Sequence, residues 1–94
     1  MIVSFADRAT KKIWQGQYSK SLPPEIQKQG LRKLIMLNAA KILGDLAVPP
    51  GNRLEALKGD LAGMHSICIN DQWRIVFLWS EQGPEDVVIC DYHS

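Results

Sequence analysis

Five consecutive apolar residues, Ile75-Val76-Phe77-Leu78-Trp79, flanked by Arg74 and Ser80, constrain this chain more than any other feature. The run is rich in β-branched and aromatic residues and too short for a helix, so it predicts a strand. Ile75, Phe77 and Trp79 fall on one face, Val76 and Leu78 on the other. A strand apolar on both faces predicts helices packed over one side of its sheet.

The neighbouring segments fit that frame. Met64 to Asn70 places Ile67 and Ile69 on one face, and Val87 to Cys90 is a four-residue apolar run. Asn70-Asp71-Gln72 and the longer Glu81-Gln82-Gly83-Pro84 are the expected turns of an antiparallel meander. The front half has a different period. Met1 to Phe5 alternates as a short strand, and Asp7 is placed to cap a first helix with Ala9, Ile13 and Trp14 at helical spacing, to about Gly16. A loop follows to Pro24. Pro24 and Glu25 suit the first turn of a second helix, with Ile26, Leu31, Leu34, Ile35, Leu37 and Ile42 as its stripe and an end near Leu43 to Leu46. Pro49-Pro50-Gly51 then breaks the chain. The expected fold class is α+β, in the order β-α-α-β-β-β: two N-terminal helices packed on a small twisted, mainly antiparallel sheet. Residues 1–94 are expected to form a single domain.

Hydrophobic residues make up 46% of the chain and charged residues 22%, which fits a folded domain and excludes a disordered one. No apolar run approaches the ~20 residues that span a bilayer, so a soluble, cytoplasmic protein without membrane contact is expected. Cys68 and Cys90 fit no zinc spacing, and two free thiols in a reducing compartment are expected. Net charge is +1, which argues against strong non-specific nucleic-acid binding. Its distribution is uneven. Residues 1–41 carry eight Lys/Arg against two acids, a balance of +6, and residues 42–94 carry three against eight, a balance of −5. A basic helical face of this kind can meet a polyanion or an acidic partner, or be no more than a solvated surface.

No Gly-rich phosphate loop precedes a helix, no G-x-S-x-G elbow occurs, and the histidines and cysteines make no metal cluster by spacing. An enzyme built on this sequence works with side chains alone, without cofactor or metal. Polar residues interrupt the apolar background in three places: Gly51 to Asp60, Asn70 to Arg74, and Asp91-Tyr92-His93. Together they offer a set suited to RNA cleavage. Such cleavage needs a base for the 2′-hydroxyl proton, an acid for the leaving 5′-oxygen, and fixed cations for charge building on the phosphoryl oxygens. Glu55 and His93 are candidates for base and acid, with Lys58 and Arg74 as the cations. Arg53, Lys58 and Arg74 are candidates for substrate binding, and Tyr92 for stacking on a base or donating a hydrogen bond. Sequence does not say that these groups converge, and each has an ordinary alternative. Glu55 and Lys58 also make an i, i+3 surface pair on a helical turn. Arg74 also suits a sheet edge with its stem packed and its head in water. His93 also suits a solvated terminus. His65 and the three tryptophans fit structural roles.

In this order, Ile2 to Phe5, Pro50-Gly51-Asn52-Arg53-Leu54-Glu55-Ala56-Leu57-Lys58-Gly59-Asp60, Gly63 to Ile67, Ile69-Asn70-Asp71-Gln72-Trp73-Arg74-Ile75 and Asp91-Tyr92-His93 resemble the HigB family of plasmid-maintenance killer proteins, of the RelE/ParE-like superfamily. The resemblance covers the whole chain. It implies the RelE-like fold, the toxin role in a type II toxin–antitoxin system, and ribosome-dependent cleavage of mRNA in the A site of the 70S ribosome. It also implies a cognate helix-turn-helix antitoxin of the HigA type, through which alone the toxin meets operator DNA. The family's site positions fall on Lys58, Arg74, Asp91, Tyr92 and His93. Glu55 departs from HigB-type toxins that have histidine there, and is more similar to the Glu, Arg and His set of YoeB-type relatives. Two other behaviours occur on related scaffolds: a ParE-like gyrase poison with no nuclease chemistry, and a degenerate regulator that only binds its antitoxin.

Overall fold

The computed structural model describes residues 1–91. Among them are two α-helices, α1 (Arg8–Trp14) and α2 (Pro24–Ala39), followed by four strands: β1 (Glu55–Ala56), β2 (Met64–Cys68), β3 (Trp73–Ser80) and β4 (Gly83–Asp91). The strands form one antiparallel sheet in the order β1-β2-β3-β4. Alternation along β3 divides its side chains as the sequence predicts. Ile75 and Phe77 are fully buried with Ile67, Ile89 and Val87 against Ile26, Leu34 and Leu37 of α2. Each such side chain contributes roughly 1.5–3 kcal/mol by leaving water. Trp14, Trp73 and Trp79 are partly buried against this core.

Both helices begin where their caps predict. Asp7 Oδ1 accepts from the Thr10 amide at 2.8 Å, and Pro24 and Glu25 occupy the first turn of α2. The loop between them is held by one buried residue. Gln27 accepts from the Ser19 amide at 3.1 Å and donates to the carbonyls of Ser19 and Leu22 at 2.7 and 2.9 Å.

Four expectations need correction. First, the element order is α-α-β-β-β-β rather than β-α-α-β-β-β. Residues 2–6 make only an isolated parallel bridge, Phe5 to Val87, supported by hydrogen bonds from the Val3 amide to the Pro84 carbonyl and between Ser4, Ala6 and Val87. Second, α2 ends at Ala39. Ala40 is extended, and the Asp45 carboxylate takes the amides of Lys41 and Ile42 at 2.9 and 3.2 Å, an alternative to helix continuation. Ile42, assigned to the buried stripe, therefore lies beyond the helix and is exposed, and Ile35, also assigned to it, lies within α2 on its solvent face.

Third, the turn after β3 is short. Ser80 pairs with Gly83, leaving Glu81 and Gln82 as the loop, and β4 starts four residues before the apolar run. Gly83 is required there, because at φ +130° a Cβ would lie 2.2 Å from the Met1 carbonyl oxygen. Fourth, Glu55 and Lys58 do not share a helical turn. Glu55 starts β1, and Lys58 precedes a short 3-10 turn at Gly59–Leu61.

Candidate functional site

The helices cover one face of the sheet, and chemistry collects on the other. The segment Pro50-Gly51-Asn52 forms a 3-10 turn whose Asn52 is fully buried. Asn52 donates to the Leu46 carbonyl at 3.1 Å and accepts from Lys33 Nζ at 2.5 Å. Arg53 then takes a left-handed conformation, φ 48°, turning the chain into β1. β1 pairs Glu55 with Ser66 and Ala56 with His65. Beyond it, the loop through Leu57 and Leu61 folds over the open face before Met64 begins β2.

Under that loop is a pocket of about 310 Å³ lined by Leu57, Leu61, Ser66, Arg74, Val76, Cys90 and Asp91. Arg74 belongs to β3, an inner strand, and is only 7% exposed. That overturns the reading of Arg74 as an edge residue with its head in water. Its cross-strand neighbours, Cys68 on β2 and Cys90 on β4, share its face. Its guanidinium Nη1 donates to Ser66 Oγ at 2.5 Å and lies 3.5 Å from Glu55 Oε2. Glu55, by contrast, is 44% exposed in its side chain, so the pair joins a buried cation to a carboxylate open to solvent.

The structure thus brings together Glu55 and Arg74. Arg74 and Asp91 line the pocket, whereas Glu55 reaches Arg74 from beside it; Asp91 Oδ2 accepts from Gln72 Nε2 at 2.8 Å. Lys58 is exposed on the same loop as Leu57 and Leu61. Arg53 is exposed and is not among the residues lining the pocket. Tyr92 and His93 lie outside the described residues. Burial pushes the Cys90 thiol above its ordinary range; the Asp91 charge adds to this and Arg74 opposes it. Cys90 is therefore a neutral thiol in the pocket wall at neutral pH.

One polar residue of the site, Ser66, carried no sequence signal as a site residue. Ser66 is fully buried between Glu55 and Val76 in the register, and a serine inside a strand looks unremarkable in one dimension. His65 has a structural setting: its ring stacks on Phe77 with centroids 6.3 Å apart, away from the pocket. Among the described residues, its Nδ1 is buried without a hydrogen-bond partner.

A larger concavity, about 580 Å³, lies along Val3 to Arg8 and Lys11. Its one carboxylate, Asp7, is used as the cap of α1. The pocket at Arg74 alone joins a buried cation, the carboxylate of Asp91 and apolar walls among the described concavities.

The chain is 38% identical over 80 residues to Toxin HigB-1 of Vibrio cholerae serotype O1, covering 84% of each chain. It is 31% identical over 91 residues to an uncharacterized protein of Haemophilus influenzae, covering 96% of this chain and 89% of the relative. No helix among the described residues is long and apolar enough to cross a membrane. Residues 3–93 match the family model of the RelE-like toxin of the type II toxin–antitoxin system HigB, and the chain belongs to this HigB-like toxin family, whose members act with a cognate antitoxin.

Proposed function

We propose that this toxin is a ribosome-dependent mRNA endonuclease that cuts in the A site by side-chain acid–base catalysis and so stops translation. The observation that carries the reading is the approach of Glu55 to Arg74, which is buried in the wall of the pocket under the Leu57–Leu61 loop. A carboxylate that reaches solvent can take a proton from a ribose 2′-hydroxyl entering the pocket. The freed 2′-oxygen attacks the adjacent phosphorus, and the bond to the 5′-oxygen breaks. Arg74, fixed and shielded from water, faces the charge that grows on the non-bridging oxygens, where preorganised donors act most strongly. His93 protonates the departing 5′-oxygen, Tyr92 stacks on or hydrogen-bonds to the substrate, and Asp91 lies beside them in sequence. Lys58 and Arg53 add positive charge along the RNA backbone.

The charge distribution favours presentation of the substrate by the ribosome. A net charge of +1 gives little grip on free RNA. The basic residues of α1 and α2 are on the layer across the sheet from the pocket, so they do not supply that grip at Arg74. The partners in this reading are the 70S ribosome, its mRNA and a helix-turn-helix antitoxin of the HigA type. Operator DNA is met only through the antitoxin, and the setting is the cytoplasm.

Purified toxin added to a reconstituted translation reaction and, in parallel, to a gyrase supercoiling reaction separates this reading from gyrase poisoning. The expected result is loss of translation with shortened mRNA and unimpaired supercoiling. Inhibited gyrase with intact mRNA overturns it.

A further inference from the structure

We infer that Ser66 is a positioning residue for Arg74: its buried hydroxyl aims the guanidinium into the pocket without neutralising it. The inference rests on the nuclease reading for its catalytic meaning and on geometry alone for the contact. Ser66 is fully buried in the middle of β2, next to Ile67 and Cys68. Packing does not call for a hydroxyl there; alanine or valine fills such a site at no cost in desolvated polar atoms. The hydroxyl is used. Arg74 Nη1 donates to it at 2.5 Å, while Glu55 lies a full ångström farther from the same nitrogen.

The register explains why this residue has the task. The direct neighbours of Arg74 across β2 and β4 are Cys68 and Cys90, whose thiols are poor acceptors. Ser66 is the diagonal neighbour, directly opposite Glu55 on one side and Val76 on the other. It therefore sits between the carboxylate and the cation of the pair. A neutral acceptor on Nη1 fixes the direction of the guanidinium without itself cancelling its charge. A carboxylate at the same place would cancel that charge. By holding Nη1, Ser66 also limits closure of Arg74 onto Glu55, which leaves the carboxylate to act on the 2′-hydroxyl.

The test compares Ser66→Ala, Ser66→Thr, Arg74→Ala and the double variant Ser66→Ala/Arg74→Ala, each shown folded by thermal melt. Single-turnover cleavage of mRNA on programmed ribosomes is measured over a range of toxin concentrations. Ser66→Ala is expected to lower the saturating rate by about 10- to 100-fold, the loss of one charge-assisted hydrogen bond, with half-saturation unchanged. Ser66→Thr keeps the hydroxyl and most of the rate. The double variant matches Arg74→Ala, because Ser66 acts only through Arg74. A loss that adds to Arg74→Ala, or that appears wholly in half-saturation, overturns the inference. The ¹⁵N resonances of the Arg74 guanidinium provide a reading independent of cleavage. Distinct, slowly exchanging Nη signals are expected in the wild type and Ser66→Thr, and averaged signals in Ser66→Ala. Averaged signals in the wild type refute the contact itself, whereas a wild type with distinct signals and no cleavage refutes the nuclease reading and with it the catalytic role of Ser66.

Discussion

The guanidinium of Arg74, on β3, lies 3.5 Å from the carboxylate of Glu55, two strands away on β1. The pair is a poor device for stability. Glu55 is 44% exposed, and an ion pair with one partner in water contributes little, while burying the arginine is costly. An apolar side chain at position 74 would continue the pattern of β3 and pack more favourably. Under the proposed function, the arrangement keeps a dry, fixed positive charge next to a carboxylate open to solvent.

Glu55→Gln and Arg74→Ala are therefore expected to separate rate from binding. Glu55→Gln removes the base and should lower the cleavage rate on ribosomes by about 10²–10⁴. Arg74→Ala removes one preorganised donor and should lower it by about 10²–10³ with ribosome affinity retained. Pelleting of the variants with ribosomes checks the second half. An Arg74→Ala protein that cuts at the wild-type rate once bound contradicts its assignment to the transition state.

His93→Ala is expected to lose about 10²–10⁴ in rate, the range of a general acid. The loss should be smaller for an RNA whose 5′-leaving oxygen is replaced by sulfur, because a thiolate departs without protonation. Equal losses on the two RNAs would assign His93 another role.

Thr10 is fully buried, and its Oγ1 accepts from the Ile89 amide at 2.9 Å, joining α1 to β4. Thr10→Val keeps the shape and orphans that amide, so it should destabilise the fold by about 1–3 kcal/mol in urea denaturation. Thr10→Ser retains the acceptor and should cost less. Wild-type stability in Thr10→Val would mean that the hydroxyl is not needed at the sheet edge.

Cys90 predicts a pH effect of definite sign. Its thiol is raised in the folded protein by burial and by Asp91. The unfolded chain then ionises first as pH rises through the ordinary thiol value near 9.0, so it binds fewer protons and stability falls. Below that range both states carry the proton and the group has no effect. Cys90→Ser should abolish this part of the alkaline loss. Denaturation midpoints of the two proteins that fall in parallel from pH 8 to 10 would contradict it.

Much of this architecture is legible in the residues, because the strong signals are periodic or depend on one residue. The two-faced run of β3, the Asp7 cap and the Pro24 start of α2 are of that kind. The end of α2 was hidden because Ile42 continues the helical spacing while Asp45, three residues later, captures its amide. β1 was hidden because two residues show no alternation, and it exists only by pairing with β2. The candidate site divides the same way. Glu55 and Arg74 stand out as charges in apolar or motif-bearing segments, and the sheet register brings them together. Ser66 acts through a tertiary contact that leaves no trace in local composition.

The central claim is tested most directly by primer extension on a defined mRNA, with and without programmed ribosomes, for the wild type and Arg74→Ala. Cuts at the A-site codon from the wild type, only when ribosomes are present and strongly reduced in Arg74→Ala, are the predicted result. A folded, growth-inhibiting wild type that leaves the mRNA intact on ribosomes contradicts it.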